Sequence, residues 1–229
     1  MFLKNYPAMK VENCLVITDL HIGITKDIYD RGITIPNQAE KLAVKINKLK
    51  ALTHTRRLVL LGDIKHKVSG FSVLEKYELE RFFSKLKFKD IIIVKGNHDG
   101  NIEKMLPKGK ISVRKTFGLG EYFFTHGHRK IKTTKKIIVI GHNQPHIKFR
   151  DEMRAVYVEP VWVRGRLKGK LKGKKLIIVP AFNDLCGATI VNKDKLLGPI
   201  AKQLNKRATH IFLLDGTDLG SLMDLKIKE

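Results

Sequence analysis

The chain has 229 residues, 43% of them hydrophobic, enough for one sizeable core, and residues 1–229 read as a single domain. Forty-five Lys and Arg against 22 Asp and Glu leave a formal charge of +23. That balance points to polyanionic partners, nucleic acid first among them, although a solvated lysine-rich surface gives the same number.

The longest apolar runs, at 91–94 and 137–140, are only strand length, so a membrane span is excluded. The opening MFLKNYPAMK lacks the apolar stretch of a signal peptide. Cys14 and Cys186, far apart and in no metal spacing, suit free thiols in a reducing cytoplasm.

In chain order, residues 14–18, 57–61 and 91–95 predict buried strands rich in β-branched residues. Between the first two, 35–52 carries Ala39, Leu42, Ala43, Ile46 and Leu49 at helical spacing, with Pro36 and Asn37 as the start signal. Between the second and third, 72–86 puts Leu74, Leu79, Phe82, Phe83 and Leu86 on one side of a helix. Alternating strands and helices imply a layered α/β fold.

Beyond Ile111 strands are predicted at 111–114, 121–125, 137–141, 156–163, 176–180 and 188–192, as in a second, more antiparallel sheet. A helix is predicted at 195–208 and a last strand at 211–214. Residues 164–175 hold seven basic residues, three glycines and no acid. They read as a flexible loop that touches a phosphate backbone, or equally as a solvated hairpin tip.

Metal-competent side chains gather where these strands end: Asp19 and His21, Asp63 and His66, then Asn97, His98 and Asp99. In an α/β sheet the carboxyl ends of the strands open into one crevice, so these residues should converge. Asp, Asn and His together suit Mn, Fe or Zn better than Ca. Two such ions about 3.5–4 Å apart can clamp the attacking and leaving oxygens of a phosphoryl group. The glycines before Asp63 and Asn97 permit the sharp turns that aim the side chains. His126-Gly127-His128 and His142-Asn143-Gln144-Pro145-His146 follow two further apolar runs. Any one of these histidines alone reads as a satisfied core or surface residue; five clusters in order read as ligands.

The ordered set Asp19-x-His21, Gly62-Asp63, Gly96-Asn97-His98-Asp99, His126-Gly127 and Gly141-His142 resembles the blocks of the calcineurin-like metallophosphoesterase superfamily. The resemblance implies a four-layer α/β fold, two packed mixed β-sheets flanked by helices. It implies two divalent ions, Mn first, with Fe, Zn or Ni as alternatives. Asp19, His21, bridging Asp63 and the residue at position 144 would hold one ion. Asp63, Asn97, His126 and His142 would hold the other. His98 would be the general acid or transition-state stabiliser, and Asp99 either orients it or caps the next turn.

Two positions depart from the pattern. The superfamily usually has His where this chain has Gln144, a neutral and weaker donor; His146, just past Pro145, is a doubtful substitute. His66 stands where its phosphatases carry an Asp that pairs with the catalytic His. Gly-Asp-Ile-Lys-His looks instead like the corresponding block of SbcD-type nucleases, so His66 reads as a second catalytic imidazole or as a hydrogen-bonded strand-exit residue. With Val161-Trp162-Val163-Arg164-Gly165 and Val179-Pro180-Ala181-Phe182-Asn183, the chain resembles small ICC-like archaeal phosphoesterases. These are similar to enzymes encoded beside Lhr-type helicases, which implies a DNA-repair-type nuclease and a helicase partner. The alternatives are a phosphodiesterase or phosphatase of small phosphoesters or cyclic nucleotides, and a non-catalytic nucleic-acid-binding subunit.

Overall fold

A computed structural model describes residues 1–225. Its first sheet runs β1 (Met9–Val11), β2 (Cys14–Ile17), β3 (Arg57–Leu60), β4 (Asp90–Val94) and β5 (Ile111–Arg114) in spatial order. β1 is antiparallel to β2 and the rest are parallel. Three helices belong to this half: α1 (Ile24–Asp30), α2 (Ala39–Thr53) and α3 (Val73–Lys85). The start of α2 is set by Asn37, whose Oδ1 accepts from the Ala39 amide at 2.8 Å. Ser72 caps α3 by accepting from the Glu75 amide at 3.0 Å.

The second, nine-stranded sheet contains β6 (Phe117–Leu119), β7 (Tyr122–Phe124), β8 (Ile137–Ile140), β9 (Pro145–Arg150) and β10 (Val156–Leu167). It is completed by β11 (Lys175–Ile178), β12 (Thr189–Ile190), β13 (Leu204–Leu213) and β14 (Asp218–Ser221). β8 is parallel to both β7 and β11, whereas β10 is antiparallel to β9, β11 and β13.

Alternation along the central strands builds the layers. Leu15, Ile17, Leu58 and Leu60 face α2 and α3, packing on Leu42, Ile46, Leu79 and Phe82. The residues between them, Val16, Val59 and Leu61, face the second sheet and meet Phe124, Val139, Trp162 and Ile177. The far side of the second sheet is covered thinly, by Leu171 in a 3-10 turn and by Ile200 and Ala201 of the one-turn α4 (Gly198–Ala201).

Three expectations change. The helix predicted at 195–208 is only α4, because Gly198 sits at φ 76° and Pro199 opens the turn; the chain then extends into β13, which pairs along β10. Residues 111–114 form a strand, but it closes the first sheet parallel to β4 rather than starting the second. The basic stretch 164–175 is no open loop. Arg166 pairs with Lys175 across β10 and β11, and buried Leu171 pins the connection, so it is a hairpin tip.

Candidate metal centre

The carboxyl ends of β2, β3 and β4 meet the ends of β7 and β8. Asp19, His21 and Asp63 form one group whose ligand atoms lie within 4.8 Å of one another, and Asp63, His126 and His142 form a second. Asp63 Oδ2 lies 3.1 Å from His126 Nε2 and 3.8 Å from His21 Nε2. One carboxylate thus serves both groups. Asp19 Oδ1 lies 3.8 Å from the same His21 nitrogen, and Asp19 Oδ2 accepts from the His142 amide at 3.2 Å.

Burial decides the electrostatics. Desolvation lifts the Asp19 carboxyl to about 6, with the charge of Asp63 adding to it and that of His126 opposing. Burial also pushes up on Asp63, yet contact with His126, the His98 amide and His21 outweigh it and hold this carboxylate well below the usual range. Desolvation lowers His21 to about 3 and His142 to about 4. His126 resists desolvation: the contact with Asp63 and the charges of Asp63 and Asp19 raise it to about 9.

The donor set fits divalent metal ions. His126 Nδ1 is hydrogen-bonded to the Leu61 carbonyl at 2.9 Å, while its buried Nε2 has no hydrogen bond of its own. A carbonyl only accepts, so Nδ1 keeps its proton, and the proton a cation would displace is the second one, at Nε2 beside Asp63 Oδ2. Two buried carboxylates and three imidazoles converging on one point are a costly grouping unless positive charge joins them.

The other predicted residues surround this core. Gln144 brings its amide nitrogen 3.0 Å from His21 Nε2 and 3.5 Å from Asp19 Oδ1, at the edge of the first group. His98 donates through Nδ1 to the His66 carbonyl, which leaves Nε2 facing the centre, 3.9 Å from Asp63 Oδ2. His66 places Nδ1 3.3 Å from His21 Nδ1 and Nε2 2.9 Å from Asp27 Oδ2, so it bridges the first donor group and an acid of α1. Asn97 is exposed, on the wall of an adjoining cavity. His146 turns back to the Gln144 carbonyl at 2.9 Å and joins neither group.

Two expectations about the supporting residues change here. Asp99 neither orients His98 nor caps the next turn. Its buried carboxylate accepts from the Gly96, Ile64 and Lys65 amides, at 2.8, 2.8 and 3.3 Å, and so ties the ends of β3 and β4 together. Gly62 does turn at φ 86°, but Gly96 is needed for room: a Cβ there would lie 2.1 Å from Asp63 Oδ1.

Sequence reasoning missed two residues, Glu75 and Asp27, and gave a third, His128, no role. Glu75 Oε1 accepts from the His66 and Lys67 amides at 3.0 and 2.9 Å, holding the loop that carries His66. Asp27 gave no signal because its pairing with His66 depends on where α1 ends up. His128 was visible beside His126 in the sequence; its ring centroid lies 5.5 Å from that of His126 and 6.2 Å from that of His142.

A model of the calcineurin-like phosphoesterase family matches residues 13–188, which include every residue of both groups. The chain belongs to that family. It is therefore a metal-dependent hydrolase of phosphate esters. Among solved structures it is similar to Pseudomonas putida nuclease MPE, at 18% identity and TM-score 0.60, over 90% of this chain and 88% of that one; this likeness supports the fold. A second similar structure is the phosphoesterase YfcE from E. coli, at 15% identity and TM-score 0.43, over 90% of this chain and 96% of that one. No curated protein matches the sequence. Among the described residues no helix is long and apolar enough to cross a membrane.

Proposed function

We propose that the protein hydrolyses phosphodiester bonds of nucleic acid with two divalent ions, Mn foremost, as a nuclease of the DNA-repair type. The observation that carries the reading is Asp63, shared by two buried donor groups and faced by His98 Nε2. Asp19, His21, Asp63 and Gln144 would hold one ion; Asp63, His126, His142 and Asn97 would hold the other. Bound there, the ions supply Lewis-acid polarisation of the phosphoryl oxygens and neutralise charge that develops as the ester breaks.

The chain's own side chains do the rest. His98 donates Nδ1–H to the His66 carbonyl, so only as an imidazolium does it present a second N–H, at Nε2, to the centre; that form is the general acid. As water adds to phosphorus and the ester oxygen leaves, Nε2 passes that proton to the departing sugar oxygen. His66 acts as a positioning residue: its contact with His21 Nδ1 leaves His21 Nε2 as the atom aimed at the centre, and Asp27 orients His66 in turn. Net charge of +23 favours a polyanionic substrate over a small ester.

The test compares Mn-supplemented hydrolysis of end-labelled single- and double-stranded DNA and RNA with that of 2′,3′-cyclic nucleotides and bis-p-nitrophenyl phosphate. The nuclease reading expects cleavage of the labelled strands, abolished in Asp63→Ala. Full Mn-dependent activity in Asp63→Ala would overturn the mechanism. Turnover of the small esters alone would replace the nuclease reading with the small-phosphoester one, and the absence of bound metal would point to a binding subunit.

A further inference from the structure

Two cavities open beside the centre and run into each other. The nearer, about 680 Å³, is walled by Asn97, Thr125 and His128 on the side of the centre and by Lys115, Arg129 and Lys130 beyond. The farther, about 830 Å³, shares residues 130–132 with it and adds Lys170 and Lys174 above a floor of Ile131, Leu171, Pro199 and Ile200. Among the described residues no carboxylate lines either cavity. Lys95, at the near rim, is paired with Glu103, and Lys174 donates to the Lys135 carbonyl. Lys115, Arg129, Lys130, Lys132 and Lys170 are exposed and have no ion pair among the described residues. Beside His21 the surroundings differ, since His66 there is paired with an acid, Asp27.

We propose that the double cavity is a track for single-stranded nucleic acid, which reaches the centre past His128 and Asn97 and continues over residues 130–132 toward Lys170. The inference rests on the phosphodiesterase reading and gives the substrate a direction. Successive cations along an extended segment match the repeating charge of a phosphate backbone. The apolar floor offers contact to sugar and base faces that a duplex keeps inside its stack. Among the described residues Phe123 is the one aromatic lining either cavity, so affinity comes chiefly from phosphate neutralisation and falls steeply with salt.

The test uses metal-free full-length protein and 5′-fluorescein oligothymidylates of about 4 and about 12 nucleotides, within the range of known single-strand site sizes. Anisotropy is followed as salt is raised. Each neutralised phosphate contributes about −0.7 to the slope of log K against log salt for a single strand. Lys132→Gln/Lys170→Gln, both at exposed positions, should make the slope for the longer probe shallower by about 1.4 and change that for the shorter one little.

The control is Lys87→Gln/Lys89→Gln, which removes the same charge from another basic surface, around Lys50, Arg56 and Lys110 at the amino ends of the parallel strands. Its slope should stay that of the wild type. An unchanged slope in the first pair, or an equal change in both, overturns the track. So does displacement of the probe by polyglutamate as readily as by unlabelled oligothymidylate, which would mark a site for acidic polypeptides. Hydrolysis of bis-p-nitrophenyl phosphate by the Mn-loaded wild type is measured separately. Binding as expected without any hydrolysis would overturn the enzymatic reading and still support the track.

Discussion

Replacing Gly96 with alanine tests how closely the centre depends on the placement of Asp63. The added Cβ would lie 2.1 Å from Asp63 Oδ1 and 2.4 Å from the Asp63 amide nitrogen, so the carboxylate and its backbone must retreat by about an ångström. Such overpacking costs about 1–3 kcal/mol of stability. In a chain of this size that lowers Tm by roughly 2–12 °C. Activity should suffer more, because displacing a group at the reacting centre by about 1 Å costs about 100-fold. Both donor groups use Asp63, so metal content should fall as well. The assay is kcat on bis-p-nitrophenyl phosphate at saturating Mn, with elemental analysis and a thermal melt on the same preparation. A Gly96→Ala protein with wild-type kcat and full metal content would refute the reasoning, whatever its Tm.

Proton linkage gives a second prediction. In the metal-free protein His126 titrates at about 9, above its ordinary 6.5. Its stabilising contribution, roughly 3 kcal/mol, is fully present below pH 6.5 and is lost as pH rises through 9, so the metal-free Tm should fall across that window. Metal must displace this proton, and calorimetry near neutral pH in buffers of different ionisation heat should detect about one proton released on binding; no release would remove His126 from the ligand set. Gln144→His should tighten the weaker metal site, read as higher metal content after dialysis, whereas unchanged content would place residue 144 outside the first group. His98→Ala should lower kcat about 10²–10⁴-fold on a strand with a sugar leaving group. It should cost much less on a p-nitrophenyl ester, whose leaving oxygen needs no proton; equal losses would argue against a general acid. Asp27→Asn should weaken Mn binding about 10–100-fold in a titration, and unaltered affinity would detach it from His21.

The centre was legible because its residues sit at the ends of strands whose β-branched cores are local signals. Cys14–Ile17, Arg57–Leu60 and Asp90–Val94 fall within a residue of where the pattern placed them, and parallel pairing carries their carboxyl ends to one crevice. What failed was decided by partners distant in sequence. Leu204–Leu213 carries apolar residues that serve a helix or a strand, and the register against Val156–Leu167 chooses between them. Pro145–Arg150 begins with a residue poor in strands, yet the antiparallel pairing of His146 with Pro160 fixes it as one. Asp27 carries no periodicity at all, and only tertiary structure brings it to His66.

The backbone of the centre explains why a short motif can mark so much chemistry. Asp19, His21, Asp63, His142 and Gln144 all have left-handed φ, between 43° and 67°, which costs a non-glycine residue of order 1 kcal/mol or more. Along a continuing strand Asp19 and His21 would share a face but stand about 7 Å apart. With both residues left-handed, their side chains approach to 3.8 Å while Leu20 stays in the core. The contact of His126 with Asp63 offsets only part of that cost, since His21 stands 3.8 Å from both carboxylates. A ligand that binds only the folded state stabilises it by mass action. Two divalent ions binding this donor set would therefore recover, as folding stability, part of what the strained strand ends cost.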